Sequence, residues 1–182
     1  MGMSRLEEKT IKSQTIYEGN IIRLQVDQVT LPDGRTSQRE IVKHPGAVAV
    51  VAITDEKKLV LVRQFRKPLE KTILEIPAGK LEPGEDPRVC AFRELEEETG
   101  YRAEEMTPLV SFYTSPGFAD EIIHLYVATG LQRGEARPDQ DEFVELVELT
   151  LPEAWQRIAD GEICDAKTVA AVYHWQLKEM QG

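Results

Sequence analysis

The chain has 182 residues, 41% hydrophobic and 30% charged, a length and balance suited to one ordinary hydrophobic core with room for a small appendage. Its formal net charge of −10 argues against unassisted binding to nucleic acid or an anionic membrane surface, yet leaves phosphorylated small molecules open where cations or arginines screen them. Two cysteines, Cys90 and Cys164, are too few for a disulfide framework, the opening MGMSRLEEKT lacks the apolar segment of a signal peptide, and no stretch approaches the ~20 apolar residues of a membrane span, so the expectation is a cytoplasmic protein.

Taken in chain order, residues 15–45 predict short strands and turns. IIRLQVDQVTLPDGRT alternates apolar and polar residues and reaches Asp33-Gly34, a strong hairpin signal. His44-Pro45-Gly46 ends the next strand. AVAVVAIT and KLVLVRQF are nearly continuous aliphatic runs, the pattern of strands covered on both faces. KTILEIPAGK reads as a strand ending at Pro-Ala-Gly. Asp86 as N-cap, Pro87 at the first helical position and Gly100 as a stop predict a helix over 87–99. LVSFYTSPG, EIIHLYVAT and EFVELVELT read as further strands. PEAWQRIADG and DAKTVAAVYHWQLKEM read as two helices, with Pro152 and Asp165 at their entrances.

The helix over 87–99 carries the chemistry. At about 100° per residue Glu94, Glu97 and Glu98 share one third of its circumference, and Glu96 lies apart. Val89, Phe92 and Leu95 point to the opposite side and are expected to face the core, while the small Cys90 and Ala91 share the acidic side and leave room above it. Like charges on adjacent turns repel, and these three sit toward the negative end of the helix dipole. A solvated charged face is the plain explanation. The chemical one is a hard divalent cation, which prefers oxygen ligands and needs only a few carboxylates beside phosphate and water.

Gly79, five residues, Glu85, seven residues and then Arg93-Glu94-Leu95-Glu96-Glu97-Glu98-Thr99-Gly100 match every fixed position of the Nudix box, with Tyr101 in a last slot that usually holds an aliphatic residue. The chain thus resembles a Nudix hydrolase. Pro116, sixteen residues after Gly100, and the segments VKHPGAVAVVA, LVLVRQFR and DQDEFVELVELTLPEA resemble the ADP-ribose pyrophosphatase branch over nearly the whole length.

The resemblance implies an α/β fold, a Nudix α/β/α sandwich around a mixed β-sheet, with the acidic helix on one face and the C-terminal helix on the other. Residues 1–45 would form a small antiparallel β segment, exchanged between the subunits of a homodimer, ahead of a hydrolase domain over 46–182. It implies Mg²⁺, with Mn²⁺ able to substitute, held by Glu94, Glu97, Glu98 and the backbone carbonyl of Ala78. Glu97 and Glu98 would take part in catalysis, with Arg93 and Glu85 positioning the acids. Glu142 matches a loop acid used as general base, with Asp141, Glu145 and Glu97 as competitors. Arg66 would contact phosphate or terminal ribose, Glu121 the terminal ribose, and Arg39, Glu40 and His44 lie in the segment that contributes adenine contacts. His44, like His124 and His174, also reads as a structural or surface histidine.

The implied substrate is a nucleoside diphosphate sugar, with ADP-ribose hydrolysed to AMP and ribose 5-phosphate. Another nucleotide sugar such as GDP-mannose is the main rival within the class, since fold and box choose neither base nor sugar. A non-catalytic ADP-ribose sensor is the rival outside it, disfavoured because a sensor need not keep all three metal-site acids.

Overall fold

The computed structural model describes residues 6–136 and 143–181. Its strands are β1 (Lys9–Glu18), β2 (Arg23–Thr30), β3 (Thr36–Lys43), β4 (Ala47–Ala52), β5 (Lys58–Arg66), β6 (Lys71–Glu75), β7 (Ala78–Lys80), β8 (Tyr101–Arg102), β9 (Glu105–Tyr113), β10 (Ile122–Thr129), β11 (Gln132–Arg133) and β12 (Val144–Thr150). The helices are α1 (Pro87–Thr99), α2 (Leu151–Ala159) and α3 (Ala166–Gln181). The chain divides into two compact units. One runs up to Gly46 and includes Tyr113–Ile122; the other holds Ala47–Phe112 and the chain from Ile123 onward.

In the first unit β1, β2 and β3 form an antiparallel sheet in that order, and Gly34, at a positive φ of 86°, makes the tight connection between β2 and β3. β1 begins at Lys9, earlier than the alternation in the sequence predicts, and all ten of its residues are exposed. Without a buried face there is no period-2 burial signal to read. Asp27 of β2 is buried and accepts hydrogen bonds from Ser13 Oγ and from Gln25 Nε2 (3.0 Å), which ties β1 to β2 through side chains. The segment after β9 belongs here as well: the Val42 N–H donates to the Phe118 carbonyl (2.7 Å) and the Asp120 N–H to the Val42 carbonyl (3.1 Å).

The second unit is a mixed α/β core. β4 runs parallel to β10 and antiparallel to β7, in the order β7-β4-β10-β9, and β5 lies between β12 and β6 in an antiparallel trio. The aliphatic runs of β4 and β5 are buried on both faces because helices cover both. Ala49, Val51, Leu59 and Leu61 pack with Ala154 of α2 and with Ala171, Val172 and Trp175 of α3. The alternate residues Val48, Val50 and Val60 pack with Cys90, Ala91 and Leu95 of α1. The period of two along each strand thus divides the hydrophobic residues between two layers of helix. Each fully buried aliphatic side chain contributes about 1.5–3 kcal/mol of hydrophobic stabilisation.

α1 starts and stops as the sequence predicts. Asp86 accepts from the N–H groups of Arg88 and Val89, Pro87 occupies the first turn, and Gly100, at φ 75°, donates its N–H to the Glu96 carbonyl. Its buried face includes Leu95 and, in part, Phe92 as expected, and is corrected at Val89 and the acids. Val89 is 59% exposed, whereas Cys90, Ala91, Glu94, Leu95, Glu98 and Thr99 are buried. The acidic side is turned inward: the small Cys90 and Ala91 let the helix settle against the sheet and bring Glu94 and Glu98 down with them. α2 is entered through Thr150 and Glu153, which form a capping box, so the cap lies two residues ahead of Pro152.

Candidate active site

Four of the expected residues meet around one guanidinium. Arg93 is held through Nε and Nη2 by the two oxygens of Glu85 (3.0 and 3.1 Å), and its Nη1 donates to Glu94 Oε1 (2.7 Å) and Glu97 Oε2 (2.9 Å). The repulsion expected among the acids is therefore offset in part by the protein's own cation. Hydrogen bonds from Arg93 hold the Glu85 carboxyl down at about 2, against a smaller upward effect of burial. The same bonds, led by those to Glu85, raise the Arg93 pKa above its ordinary value. Cys90 sits against this group, with Arg93 Nη2 donating to its sulfur (3.2 Å). Burial pushes the thiol up to about 12, and a hydrogen bond to Glu85 adds to the shift, so Cys90 is no nucleophile near neutral pH.

The loop before α1 is shaped around the acids. Gly79 lies where a Cβ would fall 1.9 Å from Glu94 Cδ, so the carboxylate occupies the space that glycine leaves. The Ala78 N–H donates to Glu98 Oε2 (3.0 Å), which fastens the start of β7 to the helix. Glu94 and Glu98 are 8% and 3% exposed, and Glu97 lies nearer the surface. As the side chains stand, with Arg93 between Glu94 and Glu97, no three acid, histidine or cysteine groups are drawn together as a metal cluster among the described residues. The donor chemistry nonetheless suits a hard divalent cation: three carboxylates, all oxygen, beside a cradle that a Cβ would fill.

Arg66 stands at the end of β5. Its Nε and Nη2 pair with the two oxygens of Glu75 (2.5 and 3.0 Å), and Glu75 also accepts from Lys167 Nζ. Hydrogen bonds to Glu75 raise the Arg66 pKa against the lowering effect of burial, with the charges of Glu75, Glu98 and Asp165 adding to the rise. Burial would push the Glu75 carboxyl up, but Arg66 and Lys167 together hold it below the ordinary carboxylate range. Glu75 and Lys167 were not expected from sequence. The available signal was an acid inside the buried run ILEIP, which demands a counter-charge.

In the first unit the structure brings His44 and Glu121 together. The Gly46 N–H donates to His44 Nδ1 (3.0 Å), which leaves the ring proton on Nε2, 3.7 Å from Glu121 Oε1. Thr114 Oγ1 donates to the other Glu121 oxygen (2.6 Å), and Asp120 holds Lys43 Nζ (2.7 Å) and the His44 N–H (2.9 Å). Arg39 is engaged by Glu8 through Nε (2.8 Å) and Nη2 (2.5 Å), and Glu40 beside it on β3 is exposed. His124 shares a hydrogen bond with Ser111 Oγ (2.8 Å), a structural role. Glu142 and its competitor Asp141 lie outside the described residues. Glu145, on β12, is well exposed and lies 3.8 Å from Arg63.

A mixed sheet between helices, a glycine cradle and an inward-facing acidic helix define the fold and the candidate site. The NUDIX domain profile matches residues 43–172, and a nucleoside diphosphate sugar hydrolase N-terminal domain matches residues 8–42. The chain belongs to the Nudix family. It is 66% identical over 175 residues to a methanol dehydrogenase activator of Bacillus methanolicus, covering 95% of each chain. It is 57% identical over 179 residues to an ADP-ribose pyrophosphatase of Bacillus subtilis (strain 168), covering 97% of each. A solved ADP compounds hydrolase shares the fold, with a TM-score of 0.85 at 22% identity over 100% of this chain and 99% of the other.

Proposed function

We propose that this protein is a Mg²⁺-dependent pyrophosphatase that hydrolyses ADP-ribose to AMP and ribose 5-phosphate. The observation that carries the reading is the complete acidic set of α1, with Glu94 and Glu97 braced by Arg93 and Glu85, and Glu98 held by the Ala78 N–H, beside the Gly79 cradle. The 57% identity to an ADP-ribose pyrophosphatase supports the choice of substrate.

Glu94, Glu97, Glu98 and the Ala78 carbonyl would hold the cation. When bound, a divalent ion supplies charge neutralisation of the diphosphate and acidification of water. Arg66 offers a planar fork matched to phosphate oxygens. Arg93 keeps Glu94 and Glu97 in place, and a carboxylate takes the proton of the water that replaces the bridging oxygen on phosphorus. Glu142 is our assignment for that base, with Glu97 as the alternative inside α1. Glu121, with His44 beside it, would accept hydrogen bonds from the terminal ribose, and Arg39, Glu40 and His44 would border the adenine.

The protein is further read as a cytoplasmic homodimer with exchanged N-terminal segments. No helix among the described residues is long and apolar enough to cross a membrane, and Cys164 is an exposed free thiol, as suits a reducing compartment. β1 is an edge strand that exposes Ile11, Ile16 and Tyr17, which suits pairing with a second copy.

The 66% relative favours a second reading, that the same centre serves to activate a methanol dehydrogenase. Incubation with ADP-ribose and Mg²⁺, a chelator control and GDP-mannose in parallel tests the first. Prompt metal-dependent AMP is expected, lost by orders of magnitude in Glu98→Gln with the fold intact. Absence of AMP from the wild type, beside faster methanol dehydrogenase turnover on its addition, would transfer the reading to the second.

A further inference from the structure

The ion-paired cluster behind Arg66 reaches into the C-terminal helix. Lys167, in the first turn of α3, is only 9% exposed, and Glu75 only 2%. A buried ammonium is retained where counter-charges and acceptors compensate its lost hydration. Lys167 Nζ donates to Glu75 Oε2 and to Asp165 Oδ2 (2.9 Å). Glu75 in turn grips Arg66 along one edge of its guanidinium, Nε and Nη2. Among the described residues Nη1 has no hydrogen-bond partner, and the Arg66 side chain is 39% exposed. A planar fork held along one edge presents the other to an anion without reorganising.

The same turn of α3 also secures the neighbouring backbone. Asp165 Oδ2 accepts the Thr168 N–H (3.2 Å), and Thr168 Oγ1 accepts the Ile76 N–H (3.0 Å). Two residues further on, the Ala78 N–H meets Glu98. The stretch from Glu75 to Ala78 is thus held by α3 at one end and by the acidic helix at the other.

We infer that Lys167 is a positioning residue for diphosphate binding: with Asp165 it clamps the inner side of Glu75, and through Glu75 it aims the outer edge of Arg66 at a substrate phosphate. This rests on the reading of Arg66 as a phosphate-binding residue. Lys167 Nζ and Arg66 Nη2 share Glu75 Oε2, so the ammonium fixes from the inner side the carboxylate against which the Arg66 fork is set. Lys167 touches no substrate and acts only through Arg66.

That dependence sets the experiment. ADP, in the presence of Mg²⁺, is titrated calorimetrically into the wild type, Arg66→Ala, Lys167→Met and the double variant, with circular dichroism and thermal melts on each. Lys167→Met is expected to weaken ADP binding roughly tenfold, Arg66→Ala at least as much, and the double variant no more than Arg66→Ala alone, as two residues acting in series require. Lys167→Arg, which keeps the charge, is expected to recover part of the loss. Should Lys167→Met fail to fold, Asp165→Asn takes its place, with a smaller loss that again vanishes in the Arg66→Ala background. Unchanged ADP affinity in Lys167→Met, or losses that add in the double variant, would overturn the inference, as would a wild type that binds no ADP. AMP release from ADP-ribose is followed in parallel. A wild type that binds ADP yet releases no AMP removes the hydrolysis reading alone, and the binding cycle still decides the role of Lys167.

Discussion

Arg93 accounts for the toleration of adjacent acids on α1. One nitrogen bridges Glu94 and Glu97 while the other edge of the guanidinium is fixed by Glu85. The consequence is measurable in acid. With its folded pKa near 2 and an ordinary value of 4.5, Glu85 contributes its full stability above about pH 4.5. Below that the unfolded chain takes up the proton first, and the contribution is lost as pH falls toward 2. Urea unfolding of the wild type and Glu85→Gln across pH 7 to 3 is expected to give stability curves that differ at neutral pH and converge below about 4.5. Curves parallel throughout would mean that the ion pair is absent in solution. Helical spacing made Glu94 and Glu97 legible as neighbours, whereas Glu85 lies ahead of the helix, and its part beside Arg93 was implied only by the resemblance to the Nudix box. The Arg66–Glu75–Lys167 chain was not legible: Glu75 lies 9 residues from Arg66 across the β5–β6 pairing, but Lys167 is 92 residues from Glu75 and meets it only in the folded chain.

At the scale of the element, α1 illustrates both what a local pattern supports and where it ends. Its start at Asp86 and stop at Gly100 follow from cap chemistry that needs no tertiary partner. Its buried face does not, since apolar Val89 faces out while Glu94 and Glu98 face in. Amphipathic reasoning assigns acids to solvent, and a functional face reverses the assignment. The loop that receives those acids provides the test. Gly79→Ala would place a methyl 1.9 Å from Glu94 Cδ. The carboxylate must then move, with an expected turnover loss of about 10²-fold and a stability loss of about 1–3 kcal/mol. AMP release and a urea melt on the same sample check both. Unimpaired turnover would remove Glu94 from the site.

For the whole molecule, the all-exposed β1 is the feature that a single chain leaves unexplained. If it pairs with a second copy, light scattering on the intact protein should give twice the 20.6 kDa chain mass. Glu substituted at Ile11 and Ile16, both more than half exposed, should shift the mass toward one chain. A single-chain mass for the unaltered protein would sink the dimer.

What the sequence by itself determined is local: caps, strand runs, the Asp33-Gly34 turn and the spacing of the box, each set by backbone conformation or side-chain period within a few residues. Tertiary structure alone decided that the segment carrying Glu121 joins the N-terminal unit beside His44, that Glu75 lies between Arg66 and Lys167, and that the acidic face of α1 is buried. These depend on which distant elements pack together, and a buried charge is permitted only where the fold delivers its counter-charge.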